Sequence, residues 1–230
     1  LNKLTWIIFS VLTVGILGLL VVMSGSSKID VSAIDTNTVQ SGTSQNGNIG
    51  DHIYSNSSSQ VILIEYADFQ CPGCSATHTR IKPIIEDYKQ QIQFIFRNFP
   101  LSTIHANAKA AAGAAEAAGL QGKYWEMNDK IYDSQSEWES LSGNERNDFF
   151  ANFARDLGLD INKFNSDMSS KAVADKINFD TSLGKKINVD ATPTFYLNGN
   201  KLSAEVWGDD SKFKDAINAE LIKNGINLPN

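Results

Sequence analysis

Val61-Ile62-Leu63-Ile64-Glu65-Tyr66-Ala67-Asp68-Phe69-Gln70-Cys71-Pro72-Gly73-Cys74 is the stretch that decides how this 230-residue chain folds. Its first seven residues are apolar except for Glu65. Their length and β-branching suit a strand buried on both faces, as in a sheet covered by helices. Pro72 suits the first position of a helix, and the chain reads as helical to about Tyr88. Pro83 should kink that helix, because it lacks an N–H and clashes with the preceding turn. Gln93 to Phe99 supplies a second strand, and strand–helix–strand on this scale is a βαβ unit.

Downstream, residues 101–189 read as a helical insertion. His105 to Ala118 is Ala-rich and permits close packing, and Lys123 to Tyr132 carries Tyr124, Trp125 and Ile131. Ser142-Gly143-Asn144-Glu145 has the form of a capping box, opening a helix in which Phe149, Phe153 and Leu157 recur at four-residue spacing. Val173 and Ile177 mark another helical face. Strand character returns at Pro193 to Leu197, turns on Asn198-Gly199 into Lys201 to Ser203, and makes a hairpin. Phe213, Ile217 and Leu221 form the apolar face of a last helix. The order is β-α-β, helical insertion, β-β-α, an α/β fold.

Upstream, Leu4 to Met23 contains no charge and is rich in Leu, Ile and Val. At about 1.5 Å per residue it reaches roughly 30 Å, enough for a bilayer. A cleaved signal peptide is the competing reading, but its apolar core is shorter, and Val22-Met23-Ser24-Gly25 is a poor small-x-small cleavage site. The expectation is therefore a transmembrane anchor over residues 1–23. Lys3 and Lys28 give a slight bias toward a cytoplasmic amino end. Residues 24–51, rich in Ser, Asn, Gly and Thr, read as a flexible tether, although Asp51 to Tyr54 could begin an edge strand. Residues 52–224 are the globular part and 225–230 a tail. Twenty Lys+Arg against 26 Asp+Glu, a formal charge of −6, leave no cation density for a nucleic-acid partner.

The two cysteines of the chain fall in one C-x-x-C loop. Cys71 at a helix start meets unpaired N–H groups and the positive end of the macrodipole, both of which favour thiolate. Cys74, one turn on, can close a disulfide with it or resolve a mixed one. Cys71 is thus the attacking sulfur and Cys74 the resolving thiol. Two alternatives stand beside this: a zinc site completed by His78 and His105, and an inert structural disulfide. Glu65, six residues before Cys71, should have a raised pKa in its apolar strand. It would lie beneath the pair and exchange a proton with Cys74, unless it faces water at an edge. The Thr192-Pro193 bond could be cis, which would set the Thr192 backbone against the cysteine loop for a substrate strand. His78 reads as solvent-facing or helix-packing, His105 as structural, Arg97 as a solvated strand end with neutralisation of a nearby acid as its alternative, and Trp125, Trp138 and Trp207 as core or rim.

Together, Glu65 to Cys74, Phe99-Pro100-Leu101 and Ala191-Thr192-Pro193-Thr194-Phe195 resemble the DsbA-like thiol–disulfide oxidoreductases, thioredoxin-fold proteins with an inserted helical domain. Gly122 to Met127 is similar to part of that insertion. The resemblance covers about His52 to Asn224. It implies Cys71 as nucleophile, Cys74 as resolving thiol, Glu65 as the buried acid, and Pro193, preceded by Thr192, as the cis-proline of the substrate platform. It implies an extracytoplasmic protein that donates the Cys71–Cys74 disulfide to exported proteins, with no other cofactor, and a quinone-linked membrane partner for reoxidation. A metal site of the kind found among relatives is not expected, because no ligand cluster in this sequence supports one. A reductase or isomerase with the same motif is the rival, and a peptide-binding module without turnover is another. Gly73 stands where strongly oxidising members often carry His, so the expected potential lies between about −120 and −270 mV.

Overall fold

Five strands form one mixed sheet in the computed structural model, which describes residues 29–55 and 58–229 together with Trp6, Ser10 and Thr13. They are β1 (Ile53–Ser55), β2 (Ile62–Ala67), β3 (Gln93–Asn98), β4 (Thr194–Leu197) and β5 (Asn200–Lys201), ordered β1-β3-β2-β4-β5 across the sheet. The decisive stretch is the central strand. β2 runs parallel to β3 and antiparallel to β4, and α1 (Pro72–Tyr88) makes the crossover from β2 to β3, continuing through Pro83. Between β3 and β4 come α2 (Ala108–Gly119), α3 (Tyr124–Asp133), α4 (Gln135–Trp138), α5 (Gly143–Asp156), α6 (Ile161–Met168) and α7 (Lys171–Lys186). A short α8 (Ala204–Trp207) and α9 (Asp210–Lys223) follow the β4–β5 hairpin.

Side chains alternate across β2. Leu63 joins Phe94, Phe195, Ile81, Ile85 and Phe213 in a core between the sheet and α1 and α9. Glu65, two residues on, points to the same face. Tyr66 points to the other, where α7 lies so close at Gly184 that an added Cβ would meet the Phe99 ring at 2.7 Å. A second core gathers the alanines of α2 with Met127, Trp138, Phe150 and Phe164. Each fully buried large side chain there contributes about 1.5–3 kcal/mol. The α5 start departs from expectation: Ser142 is extended but its side chain makes no capping bond.

The tether assigned to 24–51 is corrected over its described part. Val31, Thr36, Asn46 and Ile49 are buried. Asn46 accepts from Thr43 N at 2.6 Å and donates to Ser41 O at 2.8 Å. Lys186 Nζ donates to the carbonyls of Ser32 and Ile34. The physical reason is Arg97, expected as a solvated strand end and found fully buried. Its guanidinium donates to Thr36 O (2.6 Å), Thr38 O (2.7 Å) and the Tyr66 hydroxyl (3.0 Å), and pairs with Asp51 at 2.8 Å. Lys176, also buried, bridges Asp51 (3.0 Å) and Asp180 (2.8 Å). A polar segment too poor in apolar residues to fold alone is ordered because two buried cations need its acceptors. The described residues from Val31 onward form one compact unit. The expected membrane span, Leu4 to Met23, lies outside the described residues apart from Trp6, Ser10 and Thr13. Among the described residues no helix is long and apolar enough to cross a membrane.

Candidate active site

Cys71 is the N-cap residue of α1, with extended backbone and Pro72 next to it. The geometry turns its carbonyl inward, where it accepts from Cys74 N and Ser75 N at 3.1 Å each. Cys71 is half-buried and Cys74 fully buried, both as free thiols. The Cys71 Sγ lies 3.5 Å from the Thr192 carbonyl oxygen, and the Thr192–Pro193 bond is cis. A hydrogen bond from the Cys74 thiol is the largest influence on Cys71. Partial burial opposes it, while the Thr192 side chain and the backbone N–H groups at Cys74 and Gly73 reinforce it. Together they lower the Cys71 pKa to about 5. Burial pushes the Cys74 thiol well above its ordinary value. One strand-to-helix turn thus holds two chemically unlike sulfurs. Alkylation of the reduced protein by iodoacetamide should rise with pH through a midpoint near 5, with Cys71 the residue modified in peptide mapping. A midpoint in the ordinary thiol range, about 8.5, would contradict this geometry.

The loop before Cys71 is fixed from several sides. The Asp68 carboxylate accepts from Gln70 N (2.7 Å), Leu101 N (2.7 Å) and sits 2.8 Å from His105 Nδ1. Gln135 donates to the carbonyls of Phe69 (2.7 Å) and Cys71 (3.1 Å). The Gln70 side chain accepts from Asn107 N and donates to Glu139 O. The inserted helices therefore clamp the cysteine loop. Asp68, Gln135 and Asn107 were not singled out from the sequence. An Asx turn at Asp68 is a local signal that could have found it; the partners of Gln135 and Asn107 are remote in sequence. His105 goes to Asp68. His78 stacks on Tyr132 at 4.8 Å and lies 3.2 Å from Asp129, so the two histidines of the zinc alternative are committed to different partners. Trp138 is fully buried in the helical core, its Nε1 donating to Ile131 O. Trp207 packs on Phe195 and Trp125 against Phe94.

Glu65 is 2% exposed, paired in register with Phe96 of β3 and Phe195 of β4. This replaces the water-facing alternative. Among the described residues none forms a hydrogen bond or ion pair with its carboxyl. Burial first, and the charge of Cys71 second, push its pKa up to about 8. The carboxyl also acts electrostatically on Cys74. A protonated acid at neutral pH is thereby placed on the face of the sheet that carries α1.

A family model described as thioredoxin matches residues 47–219. Curated relatives include the Na(+)/H(+) antiporter NhaA 3 of Salinispora tropica, 32% identical over 151 residues, which are 66% of this chain and 22% of that protein. Another is the Na(+)/H(+) antiporter NhaA 1 of Mycolicibacterium vanbaalenii, 33% identical over 153 residues, 65% and 23% of the two chains. This chain spans less than a quarter of the length of these relatives. Among solved structures, oxidised BdbD from Bacillus subtilis is similar with a TM-score of 0.64 at 21% identity, covering 80% of this chain and 97% of that one. The alpha-DsbA1 of Wolbachia pipientis gives 0.62 at 25% identity, over 74% and 89%.

Proposed function

The chain belongs to the thioredoxin family, and on that premise we propose that it is a DsbA-like thiol–disulfide oxidoreductase which gives its Cys71–Cys74 disulfide to exported proteins. The observation that carries this reading is the asymmetry of the pair. An accessible sulfur of low pKa sits over a buried one of high pKa, beside a cis Thr192–Pro193 bond. In the oxidised protein a client thiolate attacks Cys71 Sγ, the Cys71–Cys74 bond breaks, and Cys74 leaves as a thiolate. Glu65 then supplies its proton. A second client thiolate attacks the client sulfur of the mixed disulfide, and Cys71 departs as a stabilised thiolate. Two electrons pass to the protein and a disulfide remains in the client. The backbone around Thr192 and Pro193 holds the client strand.

In this reading Leu4 to Met23 anchors the domain to the membrane with its cysteines on the extracytoplasmic side. No cofactor beyond the disulfide takes part. Reoxidation falls to a quinone-linked membrane protein, as the DsbA resemblance implies. The test compares refolding of a reduced, disulfide-containing client with reduction of insulin, and traps the resting redox state in cells by thiol alkylation. Faster client refolding and a mainly oxidised pair support the oxidase direction. A mainly reduced pair reverses it.

The potential follows the leaving ability of Cys71. A pKa of about 5 lies between about 3.5 for DsbA and about 7 for thioredoxin, so the potential should fall between about −120 and −270 mV. A Cβ at Gly73 would meet Cys71 Sγ at 3.7 Å and Pro193 at 3.9 Å, ordinary contacts. Gly73→His should therefore be accommodated and move the potential toward the oxidising end. Equilibrium titration against glutathione measures both; a wild-type value outside the window, or a Gly73→His value more reducing than wild type, counts against the argument.

A further inference from the structure

Behind Glu65, between β2, α1 and α3, lies a cavity of about 20 Å³ lined by Glu65, His78, Lys82, Trp125, Asn128 and Asp129 among others. That is room for about one water. Its wall is mostly apolar, from Ile81, Ile85, Phe94 and Phe96, with a few polar groups set into it. Both amide atoms of Asn128 and the Trp125 Nε1 are buried there and close no hydrogen bond of acceptable geometry, although buried polar atoms nearly always find a protein or water partner. Side-chain exposure climbs in steps along the remaining residues. It is 12% at His78, 32% at Asp129 and 43% at Lys82. The three lie within ion-pair distance: His78 Nε2 is 3.2 Å from Asp129 Oδ1, although it closes no hydrogen bond of acceptable geometry there, and Lys82 Nζ is 2.8 Å from Asp129 Oδ2.

We propose that this cavity is the proton port of Glu65: one water held by Asn128 and Trp125 joins the carboxyl to His78, and the His78–Asp129 pair passes the proton to solvent beside Lys82. The inference rests on the exchange reading above and deepens it. When the disulfide opens, the proton of Glu65 goes to the departing Cys74 sulfur. The carboxylate left behind is deeply buried and regains a proton from solvent while the pair is reduced; when the pair closes, that proton returns to solvent and the carboxylate takes the one that Cys74 sheds. No redox partner enters the refilling step; one proton moves in from solvent. The charged and titratable groups acting on Glu65 are Cys71 and Cys74 at the start of α1, and Tyr132 on α3. His78 and Lys82 of α1, Asp129 of α3 and Tyr54 of β1 share its cavity. His78 and Asp129 are relay and positioning residues, since neither touches the reacting sulfurs.

The experiment follows steady-state turnover of the full chain between a reduced client peptide and oxidised glutathione, so that every cycle includes the refilling of Glu65, from pH 6 to 9, in H2O and D2O at low buffer concentration. His78→Gln and Asp129→Asn should each slow the reaction by about threefold to tenfold, enlarge the solvent isotope effect, and shift the pH profile. Added imidazole should restore the rate of His78→Gly. In a Glu65→Gln background, which has no carboxyl proton to return, the same substitutions should add nothing. Circular dichroism checks folding, and His78→Gln decides the matter if Asp129→Asn does not fold. Slowing of equal size with and without Glu65, or no slowing in an active protein, overturns the port while leaving the exchange reading intact. A wild-type protein that does not exchange at all overturns both.

Discussion

Cys71→Ser should reduce dithiol–disulfide exchange to background, a loss of at least about three orders of magnitude, while Cys74→Ser should react once with a client and then stall. The asymmetry of the two sulfurs sets these different outcomes. At neutral pH the Cys71 group, with a pKa near 5, is almost entirely thiolate when free, so it is both the better attacking and the better leaving sulfur. A serine hydroxyl at the same N-cap can do neither. Cys74 is buried and its thiol held well above its ordinary pKa, so it has no access to a client. Its work is intramolecular: it leaves when the disulfide opens and returns to release a mixed disulfide. Removing it preserves first attack and abolishes that escape. The readouts are turnover in the insulin assay and a gel shift, under non-reducing conditions, of Cys74→Ser cross-linked to a reduced client. Full retention of cellular activity by Cys71→Ser would favour a binding module without turnover, and the exchange chemistry would have to be given up.

The parts of this site that the sequence made legible are those encoded locally. A seven-residue apolar strand running into Cys-Pro-Gly-Cys states its own secondary structure, the helix start and the placement of the nucleophile. Glu65 announced itself through conflict, a carboxyl inside a strand that wants none. Its neighbours Phe96 and Phe195 come from 31 and 130 residues downstream, so its degree of burial was a matter of tertiary packing. The misread regions fail for the same reason. Arg97 looks like a solvated strand end because its acceptor Asp51 lies 46 positions upstream, and Lys176 is 125 positions from the same carboxylate. No window of sequence contains those pairs. The Asp68 carboxylate has one local bond, to Gln70 N, and two remote ones, to Leu101 and His105. The capping box at Ser142 shows the opposite error. Its pattern is local and complete, yet Gly143 adopts a positive φ of 52° and the Ser142 side chain does not close the bond.

Asp51→Ala should destabilise the protein by about 3–5 kcal/mol, because it removes one member of a buried ion network and leaves its cations unpaired. Asp51 and Arg97 side chains are both 0% exposed, and Lys176 is 1%. With Asp51 gone, Arg97 retains only neutral acceptors among its hydrogen bonds and Lys176 must rely on Asp180. Asp51 is held far below the usual carboxylate range by Lys176 and Arg97, against the opposing effect of burial. A lowered folded pKa means that its contribution is present above the unfolded value near 3.8 and is lost as pH falls through the folded value, so the deficit of the variant should be full at neutral pH and shrink only in strong acid. In a chain of this size each kcal/mol moves Tm by about 2–4 °C, which puts the expected drop at roughly 6–20 °C. Urea denaturation and limited proteolysis between residues 31 and 50 report the two consequences, lost stability and a released amino-terminal strap. The network contacts Tyr66, on the face of β2 opposite Glu65, so the alkylation midpoint of Cys71 should not move in the folded variant. Replacing Asp51 and Arg97 together by apolar residues should recover part of the loss, since no unpaired guanidinium then remains buried. A single Asp51→Ala within about 1 kcal/mol of wild type would mean that the strap is held by its few apolar contacts, Val31 and Ile49, and that the ion pairs contribute little more than surface ones do.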